Sequence, residues 1–278
     1  SNLIVLVNDN EMSIDENHGS LYQNLAELRE SNGQSDNNLF KAMGFDYRYV
    51  ANGNNLETVI QVFKEIKDID HPIVLHVHTE KGHGYEPAIE NKMKYHWHVP
   101  FDLATGEAKH PATGETLNQA IIAYLDEKTT NSETPIVAVN AAIPGMFGLK
   151  EYQKKHPDHY FDVGIAEQHS ITFASALASQ GVRPVVFQSS TFLQRAYDQL
   201  SHDLAINENP AVILVGGGTI SASDRTHQGT FDIAYLSSIP NIKYLAPATK
   251  EDLLSMLDWA LTQTKQPVAI RIPTHGVQ

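Results

Sequence analysis

In the second half of the chain, strand-length apolar runs alternate with helix-length amphipathic ones, and that alternation restricts the fold most. Residues 136–139, 182–187, 211–215, 242–245 and 268–272 are short apolar runs rich in Val, Ile and Leu. Between them Leu117, Ile121 and Leu125 recur at helical spacing, as do Ile171, Ala174, Leu177 and Ala178, and later Leu253, Leu257, Ala260 and Leu261. Thr249-Lys250-Glu251-Asp252 resembles a capping box that opens the last of these helices. Strands alternating with helices form a parallel sheet covered on both faces. The first half repeats the pattern in shorter form. Strand runs at 3–7, 44–50 and 73–77 accompany a helix over 56–69, where Val59, Val62, Phe63, Ile66 and Ile69 share a face. Residues 13–40 read as a long polar excursion with short helices. The fold class expected is α/β, two parallel-sheet units. The first is expected to be incomplete, because a core strand begins two residues from the start. Residues 86–115 lack periodicity and carry Pro87, Pro100, Pro111, Gly106 and Gly114, which marks a linker. The boundaries expected are 1–99, a linker at 100–115, and 116–278.

Composition narrows the function classes. The net charge is −13 with no basic cluster, which argues against a nucleic-acid groove. A phosphate ligand remains compatible with that charge, since a bound divalent cation inverts the local sign. There is no cysteine, hence no disulfide framework and no thiolate metal site. No apolar run is long enough to span a bilayer and no signal-peptide pattern is present, so a cytoplasmic location is expected.

Several polar clusters follow strand runs, where parallel sheets hold their ligands. Asn8-Asp9-Asn10 ends the first run, although Asn and Asp are equally common in plain turns. A loop with basic and aromatic side chains, Thr79 through Pro87, follows the run at 73–77. His96-x-His98, read as extended, points both rings to one side, a metal pair with no evident third ligand. Gly216-Gly217-Gly218 lacks the features of a P-loop or a dinucleotide fingerprint and reads as a backbone turn. In Tyr160-Phe161-Asp162-Val163-Gly164-Ile165-Ala166-Glu167-Gln168-His169, Glu167 falls in the first turn of a small apolar helix that Gly181 closes. An acid there suits the helix dipole as well as it suits chemistry.

Taken together, these stretches resemble the thiamine-diphosphate enzymes of the transketolase superfamily, most closely the 1-deoxy-D-xylulose-5-phosphate synthases. Asn8-Asp9-Asn10-Glu11-Met12-Ser13-Ile14 is similar to the second half of the metal-diphosphate motif, and Lys81 to Ala88 to a Lys-Gly-Arg-Gly-Tyr-x-Pro-Ala loop. Tyr160 to His169, Ser190 to Gln199 and Thr226-His227-Gln228-Gly229 match three further runs of that family. The resemblance covers essentially the whole chain. It implies two thiamine-diphosphate-binding-type domains, the C-terminal part of the diphosphate-binding one and then the pyrimidine-binding one. It also implies thiamine diphosphate and Mg²⁺ as cofactors. Asn10 would bind Mg²⁺ through its side-chain oxygen and Met12 through its carbonyl, hard ligands suited to that ion. Tyr85 would contact the cofactor, Phe192 would stack on its pyrimidine, and Glu167 would hydrogen-bond the aminopyrimidine to activate it. His96, Arg195 and His227 match positions on the substrate side. Arg195 suits a carboxylate or phosphate, and His227 suits proton transfer. The implied activity is a transferase of the transketolase and transaldolase type, a homodimer acting on a 2-oxo acid or ketose donor and an aldehyde acceptor.

The departures bear on the acceptor. In the synthases an arginine stands where this chain has Gly216, and another stands near the end of the domain, where this chain reads Pro273-Thr274-His275-Gly276. Both grip the acceptor's phosphate in that family. A pocket tyrosine is Ser189 here, and an aspartate before the Thr-His-Gln-Gly run is Ser223, with Asp224 one place along. Losing two charge-assisted contacts of about 1.5–3 kcal/mol each disfavours the same phosphorylated acceptor. The expectation is a synthase-like enzyme with an altered acceptor. Transketolase-like ketol transfer is the alternative within the class, and a noncatalytic homologue the alternative outside it. The superfamily's Gly-Asp-Gly metal segment and third domain have no counterpart in these residues, so the 278 residues alone are expected to bind cofactor poorly and to be inactive.

Overall fold

Most of the strands form on runs rich in Val and Ile, and the strands sort into two sheets. The computed structural model describes residues 2–14, 16–109, 116–219 and 226–272. The chain divides into two compact units, Ser1–Ala112 and Thr113–Gln278.

The first unit runs β1 (Ile4–Asp9), α1 (Ser20–Glu30), α2 (Leu39–Ala42), β2 (Asp46–Val50), α3 (Leu56–Ile66), β3 (Ile73–His78) and α4 (Glu86–Glu90). Its strands are parallel in the order β1-β3-β2. The central strand β3 is buried from Ile73 to Val77, as its nearly continuous apolar run requires. Asn55 caps α3 by accepting from the Thr58 amide at 2.8 Å, and Val62 and Ile66 pack with Val50, Ile73, Leu75 and Val77. The helix stops at Ile66 rather than 69, but Ile69 still packs on this core. The polar excursion holds more structure than its composition announces. α1 spans 11 residues, because Leu25 and Leu28 face inward among polar neighbours. Residues after α4 are turns, not an extended segment. His96 and His98 therefore take different partners. His98 stacks on Tyr95 at 5.3 Å, whereas His96 Nδ1 lies 3.2 Å from Lys81 Nζ. Among the described residues no group of three or more His, Asp or Glu is arranged to hold a metal ion.

The second unit runs α5 (Leu117–Asn131), β4 (Ile136–Asn140), α6 (Pro144–Phe147), α7 (Leu149–Lys155), β5 (Tyr160–Asp162), α8 (Glu167–Ser179), β6 (Arg183–Ser189) and α9 (Ser190–Leu193). It continues through a 3₁₀ turn (Gln194–Ala196), α10 (Tyr197–Gln199), a π-helical turn (Leu200–Ala205), β7 (Val212–Gly216), α11 (Asp232–Ser237), β8 (Lys243–Leu245), α12 (Lys250–Leu261) and β9 (Val268–Ile272). The six strands are all parallel, in the order β5-β4-β6-β7-β9-β8. Ile171 and Ala174 of α8 pack with Val139, Val186, Ile213 and Leu200 in the core. The connection after β4 leads outward to β5, while that after β6 leads the other way to β7. The carboxyl ends of β4 and β6 thus flank a topological switch point, the usual ligand crevice of an open α/β sheet.

The glycine run at the end of β7 serves backbone packing. A Cβ on Gly229 would fall 1.9 Å from the Gly217 carbonyl oxygen, so the loop carrying Gly229 lies flush against it. A Cβ on Gly216 would sit 2.7 Å from the Phe147 ring. Gly216 ends β7, and Gly217, at φ +70, makes the turn that follows it.

Candidate active site

Glu167 is the first residue of α8, reached by a tight turn from β5. Asp162 builds that turn. Its Oδ1 accepts from the amides of Gly164 at 2.9 Å and Ala142 at 3.0 Å, and its Oδ2 accepts from Asn140 Nδ2 at 2.6 Å. One carboxylate therefore ties the ends of β4 and β5 to the start of α8. Glu167 is only 3% exposed. Arg195 Nη1 donates to its Oε1 at 2.9 Å. Among the described residues nothing hydrogen-bonds Oε2, so a nearly buried carboxylate keeps an oxygen for an incoming donor.

The other expected residues of this unit gather around that pair. The Arg195 guanidinium lies over the Phe192 ring, 5.5 Å from its centroid. The His227 ring meets Phe192 edge-on at 5.2 Å. Thr226 Oγ1 lies 2.8 Å from His227 Nδ1, and Thr191 Oγ1 donates to the Gln228 carbonyl at 3.1 Å. Glu167, Arg195, Phe192 and His227 form one connected cluster, held by the helical turns after β6 and by the Thr-His-Gln-Gly loop. Ser189 closes β6, 6% exposed. Ser223, Asp224 and Thr274 lie outside the described residues.

In the first unit Asn10 and Met12 occupy the loop after β1. Asn10 Oδ1 accepts from the Met12 amide at 3.2 Å, and Glu11 between them adopts φ +68. A side chain in this left-handed region is strained, as at many ligand-binding turns. Lys81 donates to the Ser13 carbonyl and approaches His96, which links His96 to this loop. Burial, then the charge of Lys92, lowers the Lys81 pKa. Burial, then the charge of Lys81, lowers that of His96. Tyr85 sits in a cluster with Tyr95 and Phe101, and donates to the Leu103 carbonyl at 3.0 Å.

A network absent from the sequence-based expectations lies beneath the loop. Asp9 Oδ2 accepts from His76 Nε2 at 2.8 Å and from Arg29 Nη1 at 2.5 Å, and His76 Nδ1 meets the Tyr47 hydroxyl at 2.7 Å. Burial works to raise the Asp9 pKa. The hydrogen bonds from His76 and Arg29 outweigh it and hold the carboxyl well below the usual range. The signal was a histidine inside an otherwise apolar strand run.

Residues 109–278 match the family described as transketolase, pyrimidine binding domain. The chain belongs to the transketolase family. Residues 32–79 of this transketolase-family chain also match the description 1-deoxy-D-xylulose-5-phosphate synthase. The chain is 37% identical to 1-deoxy-D-xylulose-5-phosphate synthase 1 of Geobacter sulfurreducens, over 98% of this chain and 48% of that protein. It is 37% identical to the synthase of Gloeobacter violaceus, over 98% of this chain and 49% of that protein. The chain thus spans about half the length of the curated relatives it matches. A split-gene transketolase solved as an inactive β4 tetramer superposes with a TM-score of 0.51 at 24% identity, over 60% of this chain and 54% of that one. The transketolase of Campylobacter jejuni gives 0.50 at 14% identity, over 97% and 51%. These two likenesses concern the fold, an α/β arrangement with parallel sheets. Enzymes of this family use thiamine diphosphate with a divalent metal, typically Mg²⁺.

Proposed function

We propose that the protein carrying this chain is a thiamine-diphosphate- and Mg²⁺-dependent transferase of two-carbon units. Its donor step resembles that of the 1-deoxy-D-xylulose-5-phosphate synthases and its aldehyde acceptor differs. The observation that carries this reading is Glu167, nearly buried at the head of α8, with one oxygen held by Arg195 and the other without a protein partner among the described residues. That free oxygen suits a hydrogen bond donated by the protonated ring nitrogen of an aminopyrimidine. Asn10 and Met12 supply hard oxygen atoms for the metal.

When bound, thiamine diphosphate supplies the electron sink for the two-carbon unit. The chain's own residues orient and move protons. Glu167 accepts a hydrogen bond at Oε2 while Arg195 fixes the direction of its carboxylate. Phe192 offers an apolar ring beside it. The exposed side of Arg195 faces a donor carboxylate, and His227 transfers a proton to or from the substrate oxygen. His96 stays neutral near pH 7, since burial and Lys81 lower its pKa, and accepts hydrogen bonds there. Gly216 presents no charge at the end of β7, and the Phe147 ring fills the space next to it. An uncharged acceptor group suits that strand end better than a phosphate. A cytoplasmic homodimer is the assembly we assign to the whole protein.

The test is CO₂ release from pyruvate by the whole protein, supplied with cofactor, Mg²⁺ and either glyceraldehyde or glyceraldehyde 3-phosphate. Turnover is expected with a preference for the unphosphorylated acceptor, and Glu167→Ala should lower kcat by at least about 100-fold. Undiminished turnover in Glu167→Ala would remove the reading. Ketol transfer from a ketose without CO₂ release would replace the donor. The 278 residues alone are expected to bind thiamine diphosphate weakly, and micromolar affinity in calorimetry would contradict that.

A further inference from the structure

Four residues in the tail of β3 and just beyond it each hold a different residue at the end of β1 or in the loop that follows it. His76 Nε2 lies 2.8 Å from Asp9 Oδ2, and His78 Nε2 lies 3.1 Å from Glu11 Oε1. Thr79 Oγ1 donates to Asn8 Oδ1 at 2.6 Å, and Lys81 donates to the Ser13 carbonyl. The Thr79 amide also donates to the Asp9 carbonyl at 3.0 Å. The register explains the reach. β1 and β3 are parallel with Asp9 opposite His78, so alternate residues of β3 face the loop as it leaves the sheet. The loop needs such ties, because Glu11 holds φ +68, a conformation that side chains adopt only where their surroundings enforce it. Each exposed pair is individually weak. Their common target is what distinguishes them from scattered surface pairs.

We propose that His76-x-His78-Thr79-x-Lys81 is a positioning device. It holds Asn8 to Ser13 in the shape that presents the Asn10 side-chain oxygen and the Met12 carbonyl to a divalent cation. The identity of that cation rests on the thiamine reading above, whereas the contacts do not. None of the four is a catalytic residue. They act through the loop, as outer partners that orient metal ligands do.

His76 is buried, and replacing it removes one donor from the buried Asp9 carboxylate and opens a cavity, so the test uses the accessible pair. In the whole protein, His78→Ala with Thr79→Val is compared with the conservative His78→Gln with Thr79→Ser. Two readouts are taken: hydrogen exchange of the Glu11, Met12 and Ser13 amides against those of Val74 to Val77, and Mn²⁺ affinity by electron paramagnetic resonance with thiamine diphosphate present. The first variant should expose the loop amides while the strand amides keep their protection, and weaken Mn²⁺ binding by about 10–100-fold. The conservative variant should restore both. Unchanged loop exchange in the first variant, or failure of the second to rescue, overturns the proposal. A wild-type protein that takes up no Mn²⁺, with exchange behaving as stated, removes the thiamine reading and leaves the loop-holding role intact.

Discussion

Asp232 is fully buried, and its partners explain how a carboxylate is tolerated there. Arg271 Nε donates to it at 2.8 Å, the Tyr244 hydroxyl donates to the same oxygen, and Arg271 Nη2 reaches the Gly229 carbonyl at 3.0 Å. The group thus fixes the base of the loop that carries His227. Burial, then the hydrogen bond to Asp232, pushes the Tyr244 pKa far above the ordinary tyrosine value. The folded state therefore keeps a proton that the unfolded chain releases near pH 10. This stabilisation is complete below pH 10 and declines as the pH rises above it. Tyr244→Phe should flatten that alkaline limb in urea melts between pH 7 and 11. It should also lower stability at neutral pH by about 1–3 kcal/mol, since Asp232 loses a donor. An unchanged alkaline slope would contradict the assignment. At this scale the sequence is an uneven guide. Glu167, Phe192, Arg195 and His227 stand in contiguous motifs and could be named before any coordinates. Asp9 and His76 are 67 positions apart. Their pairing exists only in the register of β1 on β3, which no local pattern encodes.

At the scale of elements, local chemistry was the better guide. The capping box foreseen at Thr249 is present. Thr249 Oγ1 accepts from the Asp252 amide at 3.0 Å, and Asp252 Oδ2 accepts from the Thr249 amide at 3.2 Å. Thr249→Ala should cost about 1 kcal/mol in chemical denaturation, while Thr249→Ser should retain most of it. Equal stability of the two variants would mean that α12 is held by Leu253 and Leu257 packing alone. What the sequence did not disclose follows from mixed signals. α7 is short and largely charged, and α1 buries few apolar residues, so neither produced a clear stripe. The polar stretch after β6 divides into α, 3₁₀ and π turns. That division brings Phe192 and Arg195 to the Glu167 side while Leu193, Ala196 and Leu200 stay in the core. The irregularity lies where function and packing impose different spacings.

For the whole molecule, each unit has its own core, and the two differ in depth. Among the described residues the first is built on three strands, and its exposed Leu3 and Leu6 belong to the apolar run around β1, 56% and 46% accessible. The second has six among the described residues, with β4 and β7 buried throughout and Ile171, Leu200 and Ile213 at zero exposure. Burial of apolar area is the main favourable term in folding, so the second unit should be the more stable. Thermal unfolding of the chain should show two steps. Hydrogen exchange should assign the first step to β1, β2 and β3 and the second to β4, β6, β7 and β9. Residues 113–278 expressed alone should keep the upper transition. One coincident transition by every probe would instead mean that the units fold as a single cooperative body. Cofactor and Mg²⁺ added to the whole protein should shift the two steps unequally. A ligand that binds only the folded state stabilises whatever it touches in proportion to ln(1 + [L]/Kd). The loop of Asn10 and Met12 belongs to the weaker unit, so the lower transition should rise most on binding. The clamp from β3 would then have a thermodynamic purpose beyond geometry, since it orders the loop in advance and leaves less disorder for the metal to remove.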